Sequence, residues 1–233
     1  MSALSEFQKA SALMPDPVVK NLTPLERDQL PTKNLYHISL NDKIRTFIPQ
    51  VSARTIEKED VRLPRVCTAG NLLACLLGYG AMWCDYYNEK NDGWFIYGFD
   101  FELAFKPNKR LLPDQKETDE LWLITYSKDT VEYKPNRLGT LKLVQYHSMK
   151  HKSGWVYRLG FLVDCKAPVW ITDKVELPVG KHLVVVNEWK SGGDTLLAKL
   201  APVVTAIDGE TYDKILAGKV SVLGQMTPQS ANW

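Results

Sequence analysis

No pair of cysteines in this 233-residue chain stands at CxxC spacing, and no block of like charge interrupts it. Its longest apolar runs, "LLACLLGYGAMW" (Leu72 to Trp83) and "HLVVV" (His182 to Val186), fall short of the ~18 to 20 residues that span a bilayer. Each absence removes a class. Without a long apolar run there is no membrane-spanning helix to predict. The four cysteines, Cys67, Cys75, Cys84 and Cys165, lack zinc spacing, and three lie in or beside a strongly apolar segment. Buried free thiols are therefore expected in place of disulfides or a metal centre. The N-terminus carries Glu6 and Lys9 where a secretory signal would be apolar, so no export signal is read and a cytoplasmic protein is expected. There is also no GxSxG, no P-loop, no GxGxxG in a strand-turn-helix setting and no HExxH. The common hydrolase, nucleoside-triphosphatase, dinucleotide-binding and zincin patterns are thus missing.

What is present describes an ordinary globular chain. Lys+Arg 29 against Asp+Glu 27 leaves a formal charge of +2, so the balance does not favour a nucleic-acid partner. With 45% hydrophobic residues the chain can bury a sizeable core. Residues 1–32 are broken by Pro15, Pro17, Pro24 and Pro31 and read as an N-terminal arm. Within it, "TPLERDQLP" fits a short helix with Thr23 as N-cap and Pro24 at the first helical position. Residues 33–233 read as one α+β domain.

Strands dominate that domain. "LYHIS", "RVCTA", "WFIYGFDF", "LWLITY", "TLKLVQYHSM", "WVYRLGFLVD", "VWITDKVEL" and "KHLVVVNEW" are rich in β-branched and aromatic residues and are bounded by Pro, Gly, Asn and Asp. Seven Trp, ten Tyr and seven Phe supply core filling for such a sheet. "GNLLACLLGYGAMW", apolar on every face, predicts a helix over Gly70 to Trp83 buried against two packed strand layers. A second helix is expected in "DGETYDKILAGK", opened by Asp208 and closed by Gly218. In "YHSMKHKSGW" the four-residue spacing of His147 and His151 would suit a metal only on a helix; the flanking alternation reads as a long hairpin turning near Lys152 to Gly154.

The order of three pieces carries the functional reading. A strand ending in Tyr36-His37, a loop, then Cys67-Thr68-Ala69 running into a buried helix and a further strand resembles the front half of the ADP-ribosyltransferase-like fold. That resemblance implies NAD as cofactor, with His37 on the nicotinamide-side ribose. It also implies that Tyr36 and Thr68 shape the pocket, that Tyr79, Tyr86 or Tyr87 forms an aromatic wall, and that a late carboxylate orients the sugar. Glu176 best fits the carboxylate, with Asp173, Glu188 and Glu210 as alternatives; no Glu-x-Glu pair is present. Chemically, breaking the bond from nicotinamide to ribose builds positive charge on the sugar, which a carboxylate stabilises while a histidine fixes the ribose.

Two functions follow. One is an NAD-dependent ADP-ribosyltransferase-like protein of phage or bacterial effector type, acting on a host protein or a small-molecule substrate. The other is a non-enzymatic phage-type accessory or inhibitor protein that binds a host partner. Structural roles stand beside the site roles: His37 as a strand-end histidine bonded to backbone, and Thr68 as a hydroxyl capping the helix that follows.

Overall fold

The computed structural model describes residues 4–5, 7–8, 20–51, 63–78, 93–113, 118–125, 131–151, 154–191 and 202–223. Twelve strands are defined among them. In chain order they are β1 (Leu22–Glu26), β2 (Leu35–Ser39), β3 (Arg65–Ala69), β4 (Trp94–Phe99), β5 (Leu103–Pro107) and β6 (Glu120–Ile124). They continue with β7 (Pro135–His151), β8 (Gly154–Cys165), β9 (Val169–Trp170), β10 (Glu176–Leu177), β11 (Gly180–Ser191) and β12 (Val203–Ala206). Helix α1 (Leu72–Gly78) follows β3, and α2 (Gly209–Leu216) follows β12.

Ten strands form one antiparallel sheet in the order β1-β5-β6-β3-β2-β4-β7-β8-β11-β12, and β9 pairs with β10 in a separate hairpin. The fold is β-dominated α+β, as expected. The two strand layers anticipated from the sequence take an unequal form, a ten-stranded sheet facing a two-stranded hairpin. The reason lies in "VWITDKVEL", where Thr172 Oγ1 accepts from the N–H groups of Lys174 and Val175 and turns the segment back on itself.

Alternation along each strand divides the sheet into two faces. On one, Tyr36, Ile38, Trp94, Ile96, Leu141, Phe161, Val163, Val184 and Val186 are buried together against Leu72, Leu73 and Leu76 of α1 and against Val169, Ile171 and Leu177 of the hairpin. On the other, Leu35, Val66, Tyr97, Phe99, Leu121 and Leu123 pack together, and farther along Leu162 meets Tyr212 and Ile215 of α2. Both faces are covered, so the central strands are apolar on both sides.

Local signals explain the ends of elements, and two correct the sequence reading. "TPLERDQLP" begins as strand β1, not as a helix capped by Thr23. Pro24 sits opposite Phe105 on the sheet's edge, where its missing N–H costs no ladder bond, and Arg27–Gln29 form a 3-10 turn capped by Glu26. Thr68 does not cap α1. Asn71 does, its Oδ1 accepting the Ala74 N–H at 2.9 Å. Within the described residues α1 ends at Gly78; the remainder of the predicted helix, through Trp83, lies outside them. The predicted C-terminal helix is present, with Asp208 accepting the Thr211 N–H at 2.7 Å and Gly218 in the left-handed region. The register of β7 with β8 runs to His151 opposite Gly154, so His147 and His151 lie on a strand and not a helix.

Candidate functional site around the second strand

Strand β2 carries two of the predicted site residues, Tyr36 and His37, and the alternation of a strand sends them to opposite faces. Tyr36 is buried on the α1 face. Its phenolic oxygen accepts the Trp170 backbone N–H at 3.1 Å, and its carbonyl accepts the Cys75 thiol at 3.3 Å. Glu176 pairs with Trp170 across the hairpin and is exposed. Tyr36 and Glu176 are thus brought together. Burial pushes the Tyr36 phenol up to about 12, opposed by the Trp170 N–H and reinforced by the Glu176 carboxylate.

His37 occupies the α2 face and is half-buried. Strand β2 pairs with β3 only at Tyr36 opposite Ala69, and the ladder opens beyond that pair. His37 Nδ1 lies 2.9 Å from the Cys67 carbonyl, where the imidazole takes the place of a backbone N–H. A carbonyl only accepts, so in the neutral ring the proton is on Nδ1. Phe47 meets the ring edge-on at 4.8 Å and itself stacks against Tyr97 and Phe99. Burial lowers the His37 pKa below its ordinary value, the Cys67 carbonyl opposing the shift.

Thr68 is buried on the same face as His37, its hydroxyl donating to the Leu121 carbonyl of the neighbouring strand at 2.7 Å. Of the alternative carboxylates, Asp173 is exposed in the turn of the hairpin. Glu210 pairs with Lys214 at 2.7 Å on α2, and Glu188 lies on β11. Tyr79, Tyr86, Tyr87 and Cys84 fall outside the described residues. The predicted constellation therefore divides into Tyr36 with Glu176 on one side of the sheet and His37 with Thr68 on the other.

A polar cluster that the sequence reading missed lies on the α1 side of β3 and β6. Arg65, 4% exposed, stacks its guanidinium 4.1 Å over the Trp122 ring, whose Nε1 donates to Glu120 at 2.6 Å. The Cys67 thiol sits between Arg65 and Glu120. Burial and the Glu120 carboxylate raise its pKa well above the ordinary value, Arg65 opposing, so the group is held as a thiol and not as a nucleophilic thiolate. The sequence signal for this cluster is an arginine opening an apolar strand in "RVCTA", a position where a cation needs a partner.

No known protein family, curated protein or solved structure matches the chain. Among the described residues, no group of three or more His, Cys, Asp or Glu could hold a metal ion, and no helix is long and apolar enough to cross a membrane.

Proposed function

We propose that this chain is a non-enzymatic accessory or inhibitor protein of the phage type, acting by binding a host partner. One observation carries that reading: the sheet separates His37 from Glu176. An NAD-dependent ADP-ribosyltransferase needs its histidine and its carboxylate on one ribose, because proximity and charge stabilisation both act at the anomeric carbon. Here Glu176 is exposed on the hairpin that covers the α1 face, opposite Trp170 whose N–H Tyr36 accepts, while His37 points to the α2 face with Nδ1 against the Cys67 carbonyl and Phe47 against its ring. A nucleotide seated against either residue has the sheet between it and the other. The polar atoms of Tyr36 and Thr68 have backbone partners, which supports structural roles for both.

The test is nicotinamide release from NAD by the purified protein, with candidate host proteins supplied, alongside a thermal melt with and without NAD. No release and no shift in melting temperature are expected. Release by the wild type that disappears in Glu176→Gln and in His37→Ala, with both variants folded, overturns the binding reading in favour of the transferase.

A further inference from the structure

The loop of residues 40–50 is fastened over the sheet face that carries His37. Tyr97 of β4 donates its hydroxyl to the Asn41 carbonyl at 2.7 Å, and Asn41 Oδ1 accepts the Lys43 N–H at 2.9 Å. Farther along, Phe47 and Tyr133 exchange backbone bonds at 2.8 and 2.9 Å, and Gln50 bridges to Arg65. A loop held at several points has its side chains arranged before any partner arrives, which lowers the ordering cost of binding.

Its exposed side chains combine cations with apolar groups. Lys43 and Arg45 are exposed, as are Leu40 and Ile48, two of the six large hydrophobic residues exposed among the described ones. Strand β7 adds the exposed Arg137, which faces Tyr97 across the ladder and stacks its guanidinium 4.4 Å over the Phe95 ring. Burial raises the pKa of the Tyr97 phenol; the loop backbone at Ile44 opposes that rise, as do Arg137 and Arg45, so the two guanidinia gather about one hydroxyl. Among the described residues neither guanidinium forms an ion pair or a hydrogen bond, and Asp42, the carboxylate beside them, is exposed and pairs with neither. Lys43, Arg45 and Arg137 against Asp42 leave a surplus as large as the formal +2 of the entire chain. Glu132 and Lys134, which flank Tyr133, cancel each other.

We propose that this surface docks an acidic, amphipathic segment of a protein partner, its carboxylates seated on Arg137 and Arg45 and its aliphatic side chains against Leu40 and Ile48. The inference rests on the binding reading above and deepens it. A guanidinium fork meets a carboxylate in two parallel bonds, and stacking on Phe95 holds the Arg137 fork in place for such a partner. The unpaired cations supply the charge complementarity, and the fastened loop supplies the fixed geometry. Two features favour a protein segment over a nucleic acid. Phe95 carries Arg137 where a base would stack, and Leu40 and Ile48 gain by burial against apolar side chains, which a sugar-phosphate chain lacks.

Fluorescence anisotropy of the full chain with a labelled peptide of glutamate and leucine decides it. The wild type is expected to bind that peptide, more weakly as salt is raised, and to bind less well a peptide in which serine replaces leucine. Arg45→Gln, which breaks no hydrogen bond or ion pair of the fold, and Arg137→Gln are each expected to weaken binding about fivefold, the worth of an exposed ion pair of good geometry. Lys150→Gln makes the same charge change at the other end of β7 and is expected to leave binding unaltered. The proposal is overturned by no binding of the glutamate and leucine peptide, by equal binding of the serine peptide, or by an equal loss in Lys150→Gln. Tighter binding of a single-stranded oligonucleotide of the same charge also overturns it. None of these outcomes bears on nicotinamide release, so the docking surface can fail while the non-enzymatic reading stands; release from NAD sinks that reading whatever the peptide does.

Discussion

The phenolic oxygen of Tyr36 accepts the Trp170 backbone N–H at 3.1 Å, joining residues 134 positions apart. Through this bond a central strand of the sheet holds the small β9-β10 hairpin, and the hairpin's Ile171 carbonyl in turn accepts the Leu73 N–H of α1. Tyr36 therefore anchors the layer that covers one face of the core. Buried tyrosines commonly act this way, an apolar ring in the core and a polar tip on a partner.

Tyr36→Phe keeps the ring and removes that tip, leaving the Trp170 N–H without its acceptor. A loss of about 1 kcal/mol in unfolding free energy is expected near neutral pH, the usual net worth of such a bond at a partly buried site. The raised phenol pKa adds an alkaline signature. The folded state keeps its proton up to about 12 while the unfolded chain loses it near 10.0. Stability is thus fully present below pH 10 and falls as pH rises towards 12. Denaturant melts of wild type and variant across that range check both points: the variant should be less stable at neutral pH and should decline less steeply above pH 10.

His37 predicts the opposite slope. Its folded pKa is lowered from 6.5, so between the two values the unfolded chain binds more protons than the folded one. The stability held by the neutral ring is complete above pH 6.5 and falls as pH drops below it. His37→Gln can still donate to the Cys67 carbonyl but cannot titrate. Thermal melts at stepwise acid pH should show the wild type losing stability faster than the variant. Identical slopes would mean that the fold does not hold the imidazole neutral.

Much of the fold is legible in the sequence because short strands with β-branched and aromatic residues announce themselves. "LYHIS" and "RVCTA" coincide with β2 and β3 residue for residue. Strands β1, β5 and β12 escape such a reading, and each has a physical reason. Pro24 resembles a helix start until its edge position is known, "LAFKP" ends in a proline, and "VVTA" is only four residues long. For the site, the same strand assignment already holds the decisive constraint, since consecutive residues on a strand cannot face one pocket and Tyr36 and His37 are consecutive. What sequence could not supply is the contact of Tyr36 with Trp170, the residue that Glu176 faces across the hairpin. It depends on a hairpin folding back over the sheet, and no local pattern encodes that long-range contact.

Cys67, Cys75 and Cys165 are free in the structure, and their surroundings make them slow to react. Burial is the leading cause in each case. It pushes Cys165 up to about 12 with help from the Asp164 carboxylate, and it raises Cys75 and Cys67 with help from Glu120. The attacking species in alkylation is the thiolate. At pH 8 a thiol with a pKa near 12 is ionised in only about one molecule in ten thousand, against roughly a quarter for an ordinary cysteine. The Cys75 thiol also donates to the Tyr36 carbonyl, so its modification removes a bond at the centre of the fold. Timed treatment with iodoacetamide, followed by peptide mass spectrometry, should therefore leave these three largely unlabelled in the native protein and label them fully in denaturant. The two arms of the measurement separate protection by the fold from blockage by oxidation, because a disulfide would resist labelling in denaturant as well until it was reduced. Rapid native labelling of Cys165 would show that β8 exposes its last residue, contrary to its burial against Tyr36 and Val169 on the α1 face.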